Sequence, residues 1–138
     1  MCARTVPIRR LRTQIGTRPR TLSRTRSIWL QQYGFPLDGS ADYADADGDG
    51  MNNWQEWRAG TVPTDPRSLL VISNLTLNIS GATLTWQSQT NVPYYIQRAT
   101  DPGAAFSTIQ SNITGWAGST SYTDTNATGA FFYRVGVQ

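Results

Sequence analysis

The pattern of apolar and polar positions changes near Ser68. From this residue onward the two kinds of residue alternate with a period of two, which is typical of β-strands that bury one face. Four short runs show the alternation, at residues 74–79, 83–86, 94–98 and 131–137, and residues 106–110 and 119–123 are predicted as two further strands. Residues that favour turns separate these runs. Short strands at this spacing predict a mainly β fold, with an antiparallel β-sandwich over residues 67–138.

Two helical patterns precede the strands, within residues 27–66. Ser27 can cap a short helix over residues 28–33, and a glycine follows that helix and ends it. A second short helix is predicted over residues 53–59, and Gly60 ends it. The apolar face of the first helix consists of Trp29, Leu30 and Tyr33. The sequence therefore predicts a small helical segment in front of the sandwich.

Between the two helices lies a twelve-residue acidic stretch that begins at Asp45. Oxygen-bearing groups fall at its positions one, three, five, seven, nine and twelve, supplied by Asp45, Asp47, Asp49, the backbone carbonyl of Met51, Asn53 and Glu56. Gly50 occupies position six, where the chain must turn sharply. This is the ligand pattern of an EF-hand calcium loop, in which Glu56 closes the site with both oxygens. An acidic, solvated turn without an ion is the alternative interpretation.

The connection before this loop differs from a regular EF-hand, in which the preceding helix runs directly into the first ligand. Here eleven residues, 34–44, separate the helix from the loop, so the loop is EF-hand-like with a detached entering helix. Asp38 and Asp42 lie in this connection, and Asp65 lies in the proline-rich link after the second helix. These three aspartates form ordinary turns or contribute to a second calcium site.

Trp54 and Trp57 are three residues apart and share one face of the second predicted helix. We expect them to pack beneath the loop, against Trp29, Tyr33 or the following domain. An exposed aromatic platform for sugars is the alternative interpretation.

Charge is distributed unevenly along the chain, although the formal net charge is only +3. Residues 1–36 carry eight Arg and no acidic residue, whereas residues 37–138 carry four Arg and nine acidic residues, a net charge of −5. Residues 1–26 keep neither a helical nor a strand period, which is typical of a disordered tail or of one that a neighbouring subunit orders. No nucleic-acid-binding motif and no interleaved aromatic residue accompanies the Arg residues, so binding to nucleic acid is not expected.

Several classes of function are excluded by composition. The chain contains no His and no Lys, and Cys2 is its only cysteine, which excludes a His-based triad, a zinc cluster and an intramolecular disulfide. Because the carboxylates are assigned to an ion and no activated nucleophile is visible, we do not expect an enzyme. No apolar run reaches the roughly 18 residues of a membrane span, and no secretory signal is visible in this sequence.

The calcium motif resembles a known arrangement when it is considered with three later runs, L-T-W, Y-Y-I-Q-R-A-T-D and F-F-Y-R-V-G-V-Q. Residues 27–138 are similar to the C-terminal region of secreted proteins of environmental bacteria. These proteins pair a dockerin-type or thrombospondin-repeat-like calcium loop with a fibronectin type III-like, Ig-like sandwich. The chain departs from the resemblance at Val62, where relatives carry Asp or Asn. The resemblance implies a non-catalytic structural module located outside the cell or at its surface.

A fibronectin type III sandwich has seven strands, and the run at 131–137 resembles the sixth. A missing last strand would leave an open sheet edge, which the long segment 68–79 or a strand from a neighbouring copy would have to cover. Val6 and Ile8 alternate correctly for such a donated strand, while Leu11 requires a β-bulge. Because head-to-tail donation of this kind does not close, it would produce a filament.

A monomeric surface module that binds a carbohydrate or a dockerin-like protein partner is the alternative function. Its carbohydrate-binding residues would be Trp116, Tyr94 and Tyr95. Four N-x-S/T sequons occur, at Asn74, Asn78, Asn112 and Asn126, and in a chain this rich in Asn, Ser and Thr we attribute them to chance.

Overall fold

A computed structural model describes residues 22–138. Residues 1–21 of the predicted tail lie outside the described residues. The described chain forms two compact units, one of residues 22–69 and one of residues 70–138 with the exception of Val137. The first unit contains α1 (Arg24–Gln32) and α2 (Asn53–Ala59). The second contains β1 (Ile72–Asn78), β2 (Gly81–Ser88), β3 (Pro93–Ala99), β4 (Ser107–Thr114), β5 (Gly118–Asp124) and β6 (Phe132–Val137). No helix within residues 22–138 has the length and apolar character needed to cross a bilayer.

Helix α1 begins at Arg24, four residues before the predicted start at Ile28, so the predicted start was wrong. Ser23, and not Ser27, caps the helix, because the Ser23 hydroxyl accepts a hydrogen bond from the backbone N–H of Arg26 at 3.3 Å. Both serines have a suitable sequence context, and the earlier one adds a full helical turn. This additional turn brings Arg26 into the helix, where its side chain is buried.

Helix α2 confirms its predicted bounds. Asn52 and Gln55 form a capping box, since the Asn52 side chain accepts from the backbone N–H of Gln55 and the Gln55 side chain accepts from that of Asn52. Gly60 ends the helix with a φ of 73°, a left-handed conformation that favours glycine. These signals are local, so a helix of only seven residues is well defined by its own sequence.

The second unit confirms the prediction of a mainly β chain. Its six strands form two antiparallel sheets of three strands, in the orders β1-β2-β5 and β4-β3-β6. The indole of Trp86 on β2 contacts the ring of Tyr94 on β3 edge to face, with centroids 5.8 Å apart. Both side chains are buried, and they place the centres of the two sheets against each other. The remaining core side chains include Ile72, Ala82, Leu84, Ile96, Ala99 and Val135.

The connection between β4 and β5 fixes which edges of the two sheets are neighbours. Only residues 115–117 join these strands, and three residues span little more than the 10 Å or so that separates packed sheets. Strands β4 and β5 therefore lie at the same side of the sandwich. It follows from the two strand orders that β1 and β6 lie together at the other side.

The core-facing side of β1 is only partly covered. Leu75 is paired with Leu84, and Leu77 with Ala82, so both β1 residues lie on the same sheet face as two completely buried side chains. Nevertheless Leu77 is 68 % exposed, and Ile79 just beyond the strand is fully exposed. The alternating pattern correctly placed these residues on one face, but that face is open at this side.

A polar network joins the two sheets inside the sandwich. The buried carboxylate of Asp124, at the end of β5, accepts hydrogen bonds through Oδ2 from Arg98 at 2.6 Å and from the Tyr133 hydroxyl at 2.9 Å. Its Oδ1 accepts from the backbone N–H of Asn126 at 3.1 Å. Three donors thus satisfy one buried charge, as a charge in a protein interior requires.

Candidate metal centre

Three carboxylates of the predicted calcium loop converge. One oxygen each from Asp45, Asp47 and Asp49 lies within 4.8 Å of the others. The three side chains are exposed, half-buried and buried in that order, so the cluster extends from the surface into the unit. An arrangement of this kind could hold a metal ion.

Backbone amides of the loop hold the carboxylates in place. Asp45 accepts hydrogen bonds from the N–H groups of Gly48 at 2.7 Å and Gly50 at 2.9 Å. Asp47 accepts from the N–H of Asp49 at 3.2 Å. The buried Asp49 in turn accepts from the N–H of Met51 at 2.6 Å. Because each carboxylate bonds to the backbone just after it, the loop curls around its own acidic side chains.

Two glycines make this curl possible. Gly48 has a φ of 78° and Gly50 a φ of 96°, and L-residues with side chains rarely adopt either value. The glycine predicted at position six therefore has the conformation for which glycine is required.

The base of the loop is closed by hydrogen bonds between its two flanks. The backbone N–H of Asn53 donates to the carbonyl of Ala44 at 2.9 Å, and that of Trp54 donates to the carbonyl of Asp42 at 3.0 Å. The Asn53 side chain donates through Nδ2 to the carbonyl of Ala41, also at 2.9 Å. Since its nitrogen is used in this way, the amide oxygen of this buried side chain remains as an acceptor.

Glu56 is completely buried on the first turns of α2. The hydroxyl of Thr61 lies 3.5 Å from Oε1, at the limit of a hydrogen bond. Burial, and after it the negative charges of Asp47 and Asp49, raises the pKa of the Glu56 carboxyl to about 8. The predicted closing ligand therefore lies within the electrostatic influence of the loop carboxylates, although it is seven residues beyond the last of them.

A hard cation fits this set of atoms. Three buried side-chain oxygens have no hydrogen-bond partner within the described chain, namely Asp47 Oδ2, Asn53 Oδ1 and Glu56 Oε2. Buried oxygens without donors are costly, and oxygen atoms are the ligands of a hard cation. The carboxylates that converge within 4.8 Å are those of Asp45, Asp47 and Asp49, and the predicted ligand Glu56 is not part of that group. The set contains no thiolate and no imidazole, so it does not suit metals that prefer sulfur or nitrogen. The Met51 side chain is buried. Ligation of an ion by the Met51 backbone carbonyl remains a prediction.

Arg26 is a buried residue of this unit that the sequence did not reveal. Its guanidinium forms an ion pair with the Asp42 carboxylate and lies over the Trp54 ring, 4.5 Å from the centroid, and 6.0 Å from that of Trp57. The two indoles stack with centroids 5.2 Å apart, as a small core rather than an open platform. The predicted aromatic partner Trp29 instead contacts the rings of Tyr33 and Phe35.

The three aspartates considered for a second site have other roles. Asp38 accepts from the backbone N–H of Ser40 at 2.8 Å, as in an Asx turn. Hydrogen bonding to the Ser40 side chain, and after it to the Ser40 backbone, lowers the pKa of Asp38. Asp42 is paired with Arg26. Asp65 accepts from the backbone N–H of Arg67 at 3.1 Å and from its side chain at 3.3 Å. These contacts are those of turns and an ion pair.

The aromatic residues considered for carbohydrate binding do not form one surface. Tyr94 is 1 % exposed, and its hydroxyl accepts a hydrogen bond from the N–H of Gln89 at 3.0 Å, so its assignment to a binding face was wrong. Tyr95 covers Gly136, where an added Cβ would lie 2.2 Å from the tyrosine ring. Trp116 is 71 % exposed, on a loop whose backbone is bonded to Ser88 and Thr120.

Comparisons of the chain with protein-family models, with curated proteins and with solved structures found no match.

Proposed function

We propose that this chain is a calcium-binding, non-enzymatic structural module of a bacterial protein that acts outside the cell or at its surface. The observation that carries the proposal is the set of three buried oxygens, from Asp47, Asn53 and Glu56, that lack a hydrogen donor and belong to one EF-hand-like loop. A bound cation gives each of these oxygens a partner.

Calcium suits the loop better than magnesium. Five side chains and one backbone carbonyl supply six oxygens when Glu56 binds through one oxygen and seven when it binds through both, and calcium takes six to eight oxygens in flexible geometry. Magnesium requires a smaller octahedron and retains several waters, so it is a poor match for a loop that supplies nearly all ligands from protein.

The role of the ion in this proposal is structural. The four carboxylates repel one another, and a divalent cation between them offsets the repulsion. Asn53 and Glu56 belong to α2, whereas Asp45, Asp47 and Asp49 belong to the loop before it. An ion bound by both groups therefore connects the loop to the helix. The chain contains a single such loop with a detached entering helix, which favours a rigid joint over a sensor with paired loops.

A thermal unfolding experiment on the full chain tests the proposal. At a calcium concentration of about 100 times Kd, binding to the folded state adds about 2.7 kcal/mol of stability, so the Tm rises. We expect Glu56→Gln to abolish most of the calcium-dependent rise, and Asp38→Asn, a control outside the loop, to retain it. An equal Tm in calcium and in chelator for the native chain contradicts the proposal.

The second unit supports a fibronectin type III-like assignment and, with it, self-association. The strand orders β1-β2-β5 and β4-β3-β6 are those expected of a seven-stranded sandwich that lacks its last strand next to β6. The exposed Leu77 and Ile79 leave apolar surface at that side, which a second copy would cover. We therefore propose assembly of copies into a filament or homo-oligomer, and light scattering of the full chain in calcium tests it, since a monomer contradicts it.

A monomeric binding module is the second candidate function, favoured by the exposed Trp116. Its backbone N–H is bonded to the Thr120 hydroxyl at 2.9 Å and its carbonyl to the Ser88 hydroxyl at 2.7 Å, so the loop presents the indole on a fixed backbone. Glycan binding that Trp116→Ala abolishes would favour this function over assembly.

A further inference from the structure

Strand β1 is an edge of its sheet, since β2 is the only strand paired with it among residues 22–138. Five of the seven residues of β1 are exposed. On β2, which pairs with β1 and with β5, only Gln87 is exposed among eight residues. A strand with neighbours on both sides is covered along both edges, and the greater exposure of β1 is that of a strand covered along one. The outer edge of β1 therefore presents backbone N–H and C=O groups that can pair with an added strand.

The β1 edge lacks the features that usually prevent such pairing. Exposed edge strands commonly carry a charged side chain, a proline or a bulge. Residues 68–97 contain no charged residue, and their only proline is Pro93, at the start of β3. The irregular register of β1 lies between Ile72 and Asn74, so residues 74–78 pair regularly with β2. No charge, proline or bulge within residues 74–78 therefore opposes the addition of a strand.

The side chains of this segment are complementary to themselves. Leu75 and Leu77 lie on the core-facing side of β1, and the residues between and beside them lie on the outer side. When a second β1 runs antiparallel with Thr76 opposite Thr76, Leu75 lies opposite Leu77 and Asn74 lies opposite Asn78. Apolar side chains then meet apolar ones, and polar side chains meet polar ones. A shift of one residue would place each leucine opposite a polar residue.

Building on the self-association proposed above, we propose that two copies of the chain pair β1 with β1 in antiparallel register about a two-fold axis at Thr76. The two three-stranded sheets become one sheet in the order β5-β2-β1-β1-β2-β5. Leu75 and Leu77 of both copies then lie side by side on its core-facing side. Leu77, which is 68 % exposed in the single chain, loses exposed apolar surface in this contact.

The symmetry of this contact determines the size of the assembly. Because the same surface of each copy takes part, the contact is isologous and closes at two copies. Of the two assemblies proposed above, the β1 edge therefore selects the homo-oligomer, as a dimer.

Charged substitutions at Thr76 test the contact by light scattering of the full chain in calcium. Thr76 is exposed, so its replacement leaves the fold intact. We expect Thr76→Lys alone and Thr76→Glu alone to be monomeric at concentrations at which the native chain is dimeric, because identical charges then lie opposite each other. An equimolar mixture of the two variants should associate, since opposite charges then meet. The control is Ser119→Lys, on the exposed outer side of the other edge strand β5, which should associate as the native chain does.

The outcomes of this experiment separate the contact from self-association in general. Association of Thr76→Lys alone to the extent of the native chain overturns the contact at β1 and leaves self-association standing. A monomeric native chain overturns both.

Single cysteines in chains with Cys2→Ser test the register. We expect Thr76→Cys to give a disulfide-linked dimer on a non-reducing gel, because the Cα atoms of directly opposite residues lie about 4.5–5.5 Å apart, within the reach of a disulfide. Asn74→Cys alone should not, since the two copies of this exposed residue lie roughly 13 Å apart along the paired strands. A mixture of Asn74→Cys and Asn78→Cys should link. Linkage of Asn74→Cys alone as efficient as that of Thr76→Cys overturns the register about Thr76.

Discussion

The guanidinium of Arg26 forms a buried ion pair with the carboxylate of Asp42, and the backbone carbonyl of the same Asp42 accepts a hydrogen bond from Trp54. The guanidinium also lies 4.5 Å from the centre of the Trp54 ring. One arginine on α1 therefore contacts both Asp42, three residues before the loop that begins at Asp45, and Trp54 on α2. The geometry of the candidate site thus depends on a residue that is not one of its ligands.

Replacement of Arg26 by Met should destabilise the first unit strongly. The substitution removes the cation from the buried ion pair with Asp42, and removal of one member of a buried pair costs about 3–5 kcal/mol. Urea unfolding monitored by tryptophan fluorescence, to which Trp29, Trp54 and Trp57 of the first unit contribute, measures the loss.

The control for this prediction is Arg24→Met on the exposed part of the same helix, for which we expect a change within about 0.5 kcal/mol. Equal stability of the two variants would show that the ion pair is not important for the unit.

Replacement of Gly50 by Ala should weaken calcium binding. At a φ of 96° an alanine is strained by about 1–3 kcal/mol. If the ion-bound loop imposes this strain, each 1.4 kcal/mol of it lowers the calcium affinity about tenfold. Gly118→Ala, at a φ of 85° with open space around the added Cβ, is the matched control in the sandwich. We expect it to lower stability and to leave calcium affinity unchanged, and a loss of affinity in both variants would contradict a local effect.

Much of the candidate site was predictable because its signals are local. The ligand spacing, the glycine at position six and the capping residues Asn52 and Gly60 all act within a few residues of the atoms they position. Spacing alone was therefore enough to predict both the loop and the bounds of α2. Whether the same residues hold an ion depends on their orphaned oxygens, which only the structure reveals.

Features that depend on distant partners were not predictable. Arg26 resembled the other arginines of the basic tail, because its partner Asp42 lies sixteen residues later and Trp54 later still. Tyr94 shares an alternating face with Ile96, and that pattern indicated burial more reliably than its aromatic character indicated binding. Periodicity also placed Leu77 on the core-facing side, but it cannot show whether another element covers that side.

Tyr133 makes the stability of the sandwich decrease with pH in the alkaline range. Burial, and after it the hydrogen bond to Asp124, raises the pKa of the Tyr133 hydroxyl above its ordinary value near 10. A raised pKa in the folded state means that the stabilisation is complete below about pH 10 and is lost as the pH rises through the higher value. The native chain should therefore lose stability above pH 10.

Tyr133→Phe should be less stable than the native chain by about 1–3 kcal/mol at pH 7, because the hydrogen bond to a charged acceptor is lost. The difference should shrink in urea unfolding experiments at pH 11. The exposed Tyr43, as Tyr43→Phe, is the control for the other tyrosines, and a constant difference between Tyr133→Phe and the native chain from pH 7 to 11 would contradict the assignment.

Isothermal titration calorimetry of the full chain with calcium tests the central claim most directly. We predict one ion per chain, with millimolar-class affinity typical of extracellular modules, and at least a tenfold loss of affinity in Glu56→Gln and in Asn53→Ala. The absence of binding at millimolar calcium, or binding that both substitutions leave unchanged, would contradict a calcium site at the loop from Asp45 to Glu56.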